Sequence, residues 1–160
     1  MKTVPYEQLD SAQKKLLTEA EKIMQRAYNP YSNFYVGAAL LTPDNHIILG
    51  SNVENAAYGS TICAERAAIT RANAAGYRIF TKLAIIGRGR DFDTEDVSGP
   101  CGACRQVLHE FRQIAEKDLE IIISTTRKDK IVVTTIDELL PLAFGPKDMH
   151  VNVKKYQKVL

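Results

Sequence analysis

Apolar residues recur at helical spacing in three long segments of the chain. The first begins after Asp10, a residue type that caps helix N-termini, and ends at Asn29-Pro30. The second, "ICAERAAITRANAAGY", is rich in alanine and has Gly76 near its end, which is typical of a glycine-capped helix. The third is "CGACRQVLHEFRQIAEK". These patterns predict three amphipathic helices, and "IDELLPLAF" predicts a short fourth one that Pro141 ends.

Short apolar runs typical of β-strands alternate with these helices. "YVGAALLT" and "HIILGSNVE" flank the turn signal "PDN" and predict a hairpin. "KLAIIGRG" predicts a buried strand, and "LEIIIST" and "KIVVTT" predict two more, joined by the charged turn "RKDK". This order predicts an α/β protein with one mixed five-stranded sheet and helices on both faces.

Length and charge narrow the class of protein. The chain has 160 residues, enough for one domain with a single core. Its net charge of +2 is spread along the chain, so we expect no nucleic-acid partner. No apolar run approaches the length of a membrane-spanning helix, and the first residues lack the apolar core of a secretory signal. With an odd number of cysteines, 3, the sequence favours free thiols and a cytoplasmic location.

The cysteines stand at the predicted starts of two helices. Cys63 opens one, and Cys101 and Cys104 open another, after a Gly-Pro turn. Helix N-termini favour the thiolate form of cysteine. If both helices cover the same sheet face, three thiolates can converge, which suits a catalytic zinc ion with an open fourth position. Glu65 follows Cys63 by two residues and could face water at such a site without being a ligand.

Two other interpretations of the cysteines are open at this point. Cys101 and Cys104 alone could form a thioredoxin-like redox pair, which would leave Cys63 unexplained. A structural zinc site would ordinarily have four Cys or His ligands, and the histidines of this chain are isolated from one another.

The segments "CAER" and "PCGACRQ" resemble the zinc signature of cytidine deaminases, in the small form with three cysteine ligands. The resemblance extends over "AYNPYSNFYVGAALL", "GSNVENAAYGSTICAERAAI", "SGPCGACRQVLHEF" and "ELLPLAFGP", in that order, and covers roughly residues 16–146. It implies a three-layer α/β/α cytidine deaminase-like fold for residues 1–146 and one Zn²⁺ per subunit. Residues 147–160 are left as a C-terminal tail of unknown role.

The resemblance also implies the roles of individual residues. Cys63, Cys101 and Cys104 would bind zinc, and Glu65 would carry protons. Arg66 would donate a hydrogen bond to a ligand sulfur. The remaining implied contacts are with the substrate: Phe34 with the pyrimidine ring, the backbone of Ala64 with the base carbonyl, and Asn52 and Glu54 with the ribose 3′-hydroxyl.

Relatives of this form assemble as homotetramers in which neighbouring subunits complete each pocket. The positions implied at that boundary are Ala56, Tyr58 and Phe144. The sequence departs from the family pattern at Tyr35, where relatives often have proline, and at Gly59-Ser60-Thr61, which replaces a more apolar stretch. These departures could reshape the rim of the pocket or the subunit contact.

The resemblance implies hydrolytic deamination of free cytidine and deoxycytidine to uridine and deoxyuridine plus ammonia, a pyrimidine-salvage activity. The alternatives are a nucleoside-antibiotic deaminase of the blasticidin type, a polynucleotide editor and a non-enzymatic zinc scaffold. The Asn52 and Glu54 pair favours cytidine over the antibiotic, the lack of a basic stripe disfavours a polynucleotide, and Glu65 disfavours a scaffold.

Overall fold

A computed structural model describes residues 1–158, so Val159 and Leu160 of the predicted tail lie outside the described residues. The described residues form one mixed sheet with the strand order β1-β6-β5-β4-β2-β3, in which β4 and β5 pair in parallel and the other neighbours are antiparallel. The strands are β1 (Lys2–Thr3), β2 (Phe34–Leu41), β3 (Ile47–Ser51), β4 (Lys82–Gly89), β5 (Glu120–Ser124) and β6 (Ile131–Thr135).

The sheet has six strands, so the prediction of five was one too few. The additional strand is β1, an exposed pair of residues at the edge of the sheet that is antiparallel to β6. A strand of two residues near Pro5 is too short to show a periodic pattern, so the sequence contains no signal for it. The predicted mixed sheet with helices on both faces is confirmed.

The helices form the two outer layers. They are α1 (Ser11–Met24), α2 (Ala64–Ala74), α3 (Gly102–Ala115) and the short α4 (Ile136–Leu139). Buried residues of α1 pack on one face of the sheet, whereas those of α2 and α3 pack on the other. Because α2 and α3 lie on the same face, their N-termini can meet.

Local sequence explains where these helices begin and how closely they approach the sheet. Asp10 caps α1 by accepting a hydrogen bond from the Gln13 N–H, and the Gln13 side chain accepts one from the Asp10 N–H. On β3, a Cβ at Gly50 would collide with the main chain of α2 at Ala64 and Ala68. Glycine at position 50 therefore allows the start of α2 to lie directly on the sheet.

The C-terminal tail packs against the end of α3. Lys154 pairs with Glu116 at 2.8 Å, and Gln157 Nε2 donates to the Ile114 carbonyl at 2.7 Å. The latter bond satisfies a carbonyl that the end of α3 leaves without a helical partner. The domain boundary at residue 146 stays a prediction. Among the described residues, no helix has both the length and the apolar character needed to cross a membrane.

Candidate active site

The starts of α2 and α3 bring the three cysteines together. Cys63 is the N-cap residue of α2, Cys101 is the N-cap residue of α3, and Cys104 lies in the first turn of α3. The Sγ atoms of Cys63 and Cys101 are 3.9 Å apart, and those of Cys101 and Cys104 are 3.6 Å apart. Neither N-cap side chain is used to cap its helix, so both thiols can bind something else.

This spacing fits a zinc ion. All three sulfurs lie within 4.8 Å of one another. Tetrahedral coordination with Zn–S bonds of about 2.3 Å requires sulfurs about 3.8 Å apart, close to the distances between neighbouring cysteines here. Three protein donors leave one coordination position open, as in catalytic rather than structural zinc sites.

The three thiols lie close enough to shift one another's pKa. A hydrogen bond from the Cys104 thiol lowers the pKa of Cys63 to about 6, with further lowering by Cys101 and Arg66 against the effect of burial. The pKa of Cys104 is raised, because its thiol donates to Cys63 and because it is buried. A divalent cation would bind the thiolate forms of these cysteines and displace their protons.

A cleft of about 210 Å³ opens onto the sulfurs of Cys63 and Cys101. Glu65 lines it and is only 4% exposed. Burial raises the pKa of Glu65, and the neighbouring Cys63 charge raises it further. A larger hollow of about 380 Å³ lies between the tail and the end of α3, but no cysteine lines it. The chemistry of the cysteines and Glu65 therefore belongs to the smaller cleft.

Three of the residues predicted to contact substrate also line this cleft, namely Phe34, Asn52 and Ala64. The Asn52 side chain is largely used by the protein itself. Its Oδ1 accepts from the Val36 N–H and its Nδ2 donates to the Phe34 carbonyl, both at 2.9 Å. One Nδ2 hydrogen is left for another acceptor.

Glu54 does not line the cleft but holds the loop beside it. One carboxylate oxygen, Oε2, accepts from the N–H groups of Tyr31 at 2.9 Å and Ser32 at 3.2 Å. Burial raises the pKa of Glu54, but hydrogen bonds from Ser32 and Tyr31 outweigh this effect and leave the pKa lowered. Glu54 is thus an ionised anchor for the loop that carries Ser32 into the cleft wall.

The other predicted site residues lie outside the cleft of the single chain. Ala56 is exposed, and Tyr58 and Phe144 are 60% and 63% exposed. Arg66 is half-buried and acts on Cys63 by its charge, with no hydrogen bond to a sulfur among the described residues. The predicted hydrogen bond from Arg66 to a ligand sulfur is therefore not present in the single chain.

Several lining residues were not predicted from the sequence. They are Ser32, Val36, Thr61, Ile85, Ser98 and Gly99. Small hydroxyl, glycine and aliphatic residues carry no signature of a binding site. Their positions are the available signals: Ser98 and Gly99 precede the "PCGAC" segment, and Thr61 belongs to the stretch that departs from the family pattern.

Comparison with known proteins agrees with this geometry. Residues 10–117 match the family model described as the cytidine and deoxycytidylate deaminase zinc-binding region. The chain is 44% identical over 135 residues to a cytidine deaminase of Sporosarcina psychrophila, covering 84% of this chain and 93% of the relative. A probable cytidine deaminase of Dictyostelium discoideum is 40% identical over 136 residues, covering 84% and 85%.

Solved structures give the same result for the fold. The crystal structure of a cytidine deaminase from Burkholderia pseudomallei superimposes with a TM-score of 0.73 at 44% identity, covering 82% of this chain and 98% of that chain. The family model spans both cysteine-bearing helix starts, and the relatives cover most of the chain. The chain therefore belongs to the cytidine deaminase family of zinc-binding hydrolases.

Proposed function

We propose that this protein deaminates free cytidine and deoxycytidine, giving uridine or deoxyuridine and ammonia. The observation that carries the proposal is a cluster of three cysteine sulfurs beside a cleft that Cys63, Cys101 and the buried Glu65 line. Cys63, Cys101 and Cys104 would hold one zinc ion. The chemistry that a zinc ion supplies when bound is Lewis acidity, which makes water nucleophilic near neutral pH.

Glu65 is assigned the proton transfers. Hydrolysis at C4 of the pyrimidine requires a proton to leave the attacking water, one to reach ring N3 and one to reach the departing amine. A carboxyl group with a raised pKa, such as that of Glu65, is better suited both to accept and to return a proton than an exposed carboxyl group of ordinary pKa. Because Glu65 is nearly buried beside Cys63, its carboxyl is screened from bulk water while it does so.

The negative charge of three thiolates exceeds the charge of one zinc ion and must be offset. Cys63 and Cys101 stand at helix N-termini, whose dipoles stabilise anions. Arg66 adds a full positive charge that already lowers the pKa of Cys63. We assign Arg66 this electrostatic role.

A nucleoside fits the cleft better than a nucleotide. The family model covers deaminases of both cytidine and deoxycytidylate, but no lysine, arginine or histidine is among the described residues that line the cleft. The charged groups that a phosphate would meet there are therefore all anionic, namely Glu65 and the cysteine thiolates. Phe34 would contact the base, the Ala64 backbone the base carbonyl, and the free Nδ2 hydrogen of Asn52 the sugar, with Glu54 completing the sugar site.

We further propose a homotetramer in the cytoplasm, with residues 1–146 as the catalytic domain and 147–160 as an added tail. Tyr58, Leu142 and Phe144 are large apolar side chains that the single chain leaves exposed, which supports their cover by partner subunits. Three zinc-binding thiols favour a reducing compartment. Light scattering measures the assembly, and an active monomer would contradict it.

The test of the function combines zinc content with turnover. The purified protein should contain one zinc per chain and convert cytidine with loss of absorbance at the cytosine band. Glu65→Gln should keep zinc, because Glu65 is not a ligand, while turnover falls by about 10²–10⁴-fold. Cytidine monophosphate and a short single-stranded oligonucleotide serve as controls for the substrate class. Faster turnover of either than of cytidine would overturn the nucleoside assignment.

A further inference from the structure

The helices α2 and α3 each begin at a cysteine N-cap, Cys63 and Cys101, but the peptides that lead into these two cysteines are held in different ways. Before Cys63, Ile62 forms a two-way main-chain pair with Val53. The Ile62 N–H donates to the Val53 carbonyl, and the Ile62 carbonyl accepts from the Val53 N–H, both at 2.9 Å. The peptide that enters Cys63 is thereby fixed by backbone alone.

The peptide that enters Cys101 cannot be fixed in the same way. The preceding residue is Pro100, which has no N–H to donate. Between residues 1 and 158, no main-chain hydrogen bond holds residues 98–100. The segment nevertheless lies in the middle of the site, because Ser98 and Gly99 line the cleft beside Cys101.

A side chain supplies the missing hydrogen bond. Arg105, in the first turn of α3, donates from Nε to the Pro100 carbonyl at 2.8 Å and from Nη1 to the Leu139 carbonyl at 3.0 Å. Leu139 is the last residue of α4, so its carbonyl has no helical partner. The α4 helix is itself anchored by Ile136, which is fully buried in the core. The Arg105 guanidinium therefore joins the peptide before α3 to the end of α4.

We infer that Arg105 is a positioning residue for the zinc ligand Cys101. Fixing the Pro100 carbonyl fixes the plane of the peptide between Pro100 and Cys101. Together with α3, this plane sets the φ angle of Cys101 and hence the direction of its Cα–Cβ bond, from which the sulfur projects. The Cys101 side chain makes no capping bond that could set its direction instead.

The inference rests on the proposed zinc site and adds a residue to it. Arg105 acts at a distance from zinc through a carbonyl, whereas Arg66 acts through charge. The role of Arg105 therefore requires the planar guanidinium with its two donors, and not only a positive charge. Because the same peptide continues into Gly99 and Ser98, Arg105 also holds one wall of the cleft.

Zinc retention tests the inference without relying on activity. Full-length zinc-loaded proteins are mixed with a coloured chelator, and the zinc dissociation constant and release rate are measured. Arg105→Met keeps an apolar stem but has no donor, and we expect zinc affinity to fall by about 10–100-fold, as for other partners that orient metal ligands. Arg105→Lys keeps the charge but offers one ammonium in place of the fork, and we expect an intermediate loss.

Arg112→Met is the matched control. Arg112 lies on the same helix, two turns later, and also joins α3 to α4, through Asp137, without touching Pro100. The Arg112→Met variant should lower the thermal midpoint about as much as Arg105→Met does. Its zinc affinity should stay within about twofold of wild type. Should Arg105→Met prove unstable, the comparison of Arg105→Lys with Arg112→Met decides.

The outcomes separate this inference from the proposed function. Wild-type zinc affinity in Arg105→Lys or Arg105→Met would overturn the positioning role while leaving the zinc enzyme intact. An equal loss of zinc in Arg112→Met would also overturn it, because general packing of α3 on α4 would then explain the effect. A wild-type protein that binds no zinc would overturn both proposals.

Discussion

Replacing Asn52 with alanine is expected to lower stability as well as substrate affinity. Asn52 is 8% exposed, and its amide joins the end of β3 to two main-chain groups of β2, the Val36 N–H and the Phe34 carbonyl. Alanine would leave both groups without these partners. Since Phe34 lines the cleft, the same change releases a residue that we assign to the base.

The size of the effect follows from these two hydrogen bonds. A partly buried N–H left without an acceptor costs about 1–3 kcal/mol, and the loss of a second hydrogen bond costs about 0.5–1.5 kcal/mol. We therefore expect the free energy of unfolding to fall by about 1.5–4.5 kcal/mol. For a chain of this length, this corresponds to a thermal midpoint lower by about 3–18 °C.

Asn29→Ala is the matched control for this change. Asn29 is 5% exposed, close to the exposure of Asn52, but its Nδ2 has no hydrogen-bond partner in the described part of the chain. Its removal should cost less than about 1 kcal/mol, because no hydrogen bond is lost. Thermal unfolding of both zinc-loaded variants, with KM for cytidine, measures the two effects. An unchanged midpoint in Asn52→Ala, or an equal drop in both variants, would refute the reasoning.

Three further predictions concern the metal and the tail. Cys104→Ala should remove zinc and activity together, and a zinc-replete active variant would disprove three-thiolate ligation. Arg66→Gln should weaken zinc retention without unfolding the chain, because a charge that stabilises the Cys63 thiolate is lost; unchanged zinc content and rate would mean that the helix N-termini suffice. Gln157→Ala should lower the thermal midpoint by about 2–4 °C through the lost bond to Ile114, and its zinc content should equal that of wild type; an unchanged midpoint would show that the tail does not stabilise α3.

The sequence predicted those parts of the molecule that repeat or that carry unusual chemistry. Helical periodicity located α1, α2 and α3, and Asp10 marked the start of α1 because its side chain does cap that helix. The meeting of Cys63 with Cys101 and Cys104 followed from one condition, that α2 and α3 cover the same face. The sheet order satisfies that condition, with β4 between the hairpin and β5.

What the sequence did not predict depends on contacts between distant residues. The bond from Arg105 to Leu139 joins residues 34 apart along the chain, and no local pattern specifies it. The contacts of Glu54 with Tyr31 and Ser32 are of the same kind. A polar residue in a motif can hold the protein, the substrate or both, and only the positions of its neighbours distinguish these roles.

The spacing of Cys63 and Glu65 shows how helix geometry can assign chemistry. The N-cap residue is extended and directs its thiol to the other sulfurs, while the residue two positions later is already helical and points into the cleft. Successive helical residues differ in direction by about 100°, so the next residue, Arg66, points elsewhere and is half-exposed. Exchanging Glu65 and Arg66 would keep every charge within the same turn of α2. It would nevertheless put a cation in the cleft and turn the carboxylate away from it, so the order of these two residues, and not their composition, determines whether the site can transfer protons.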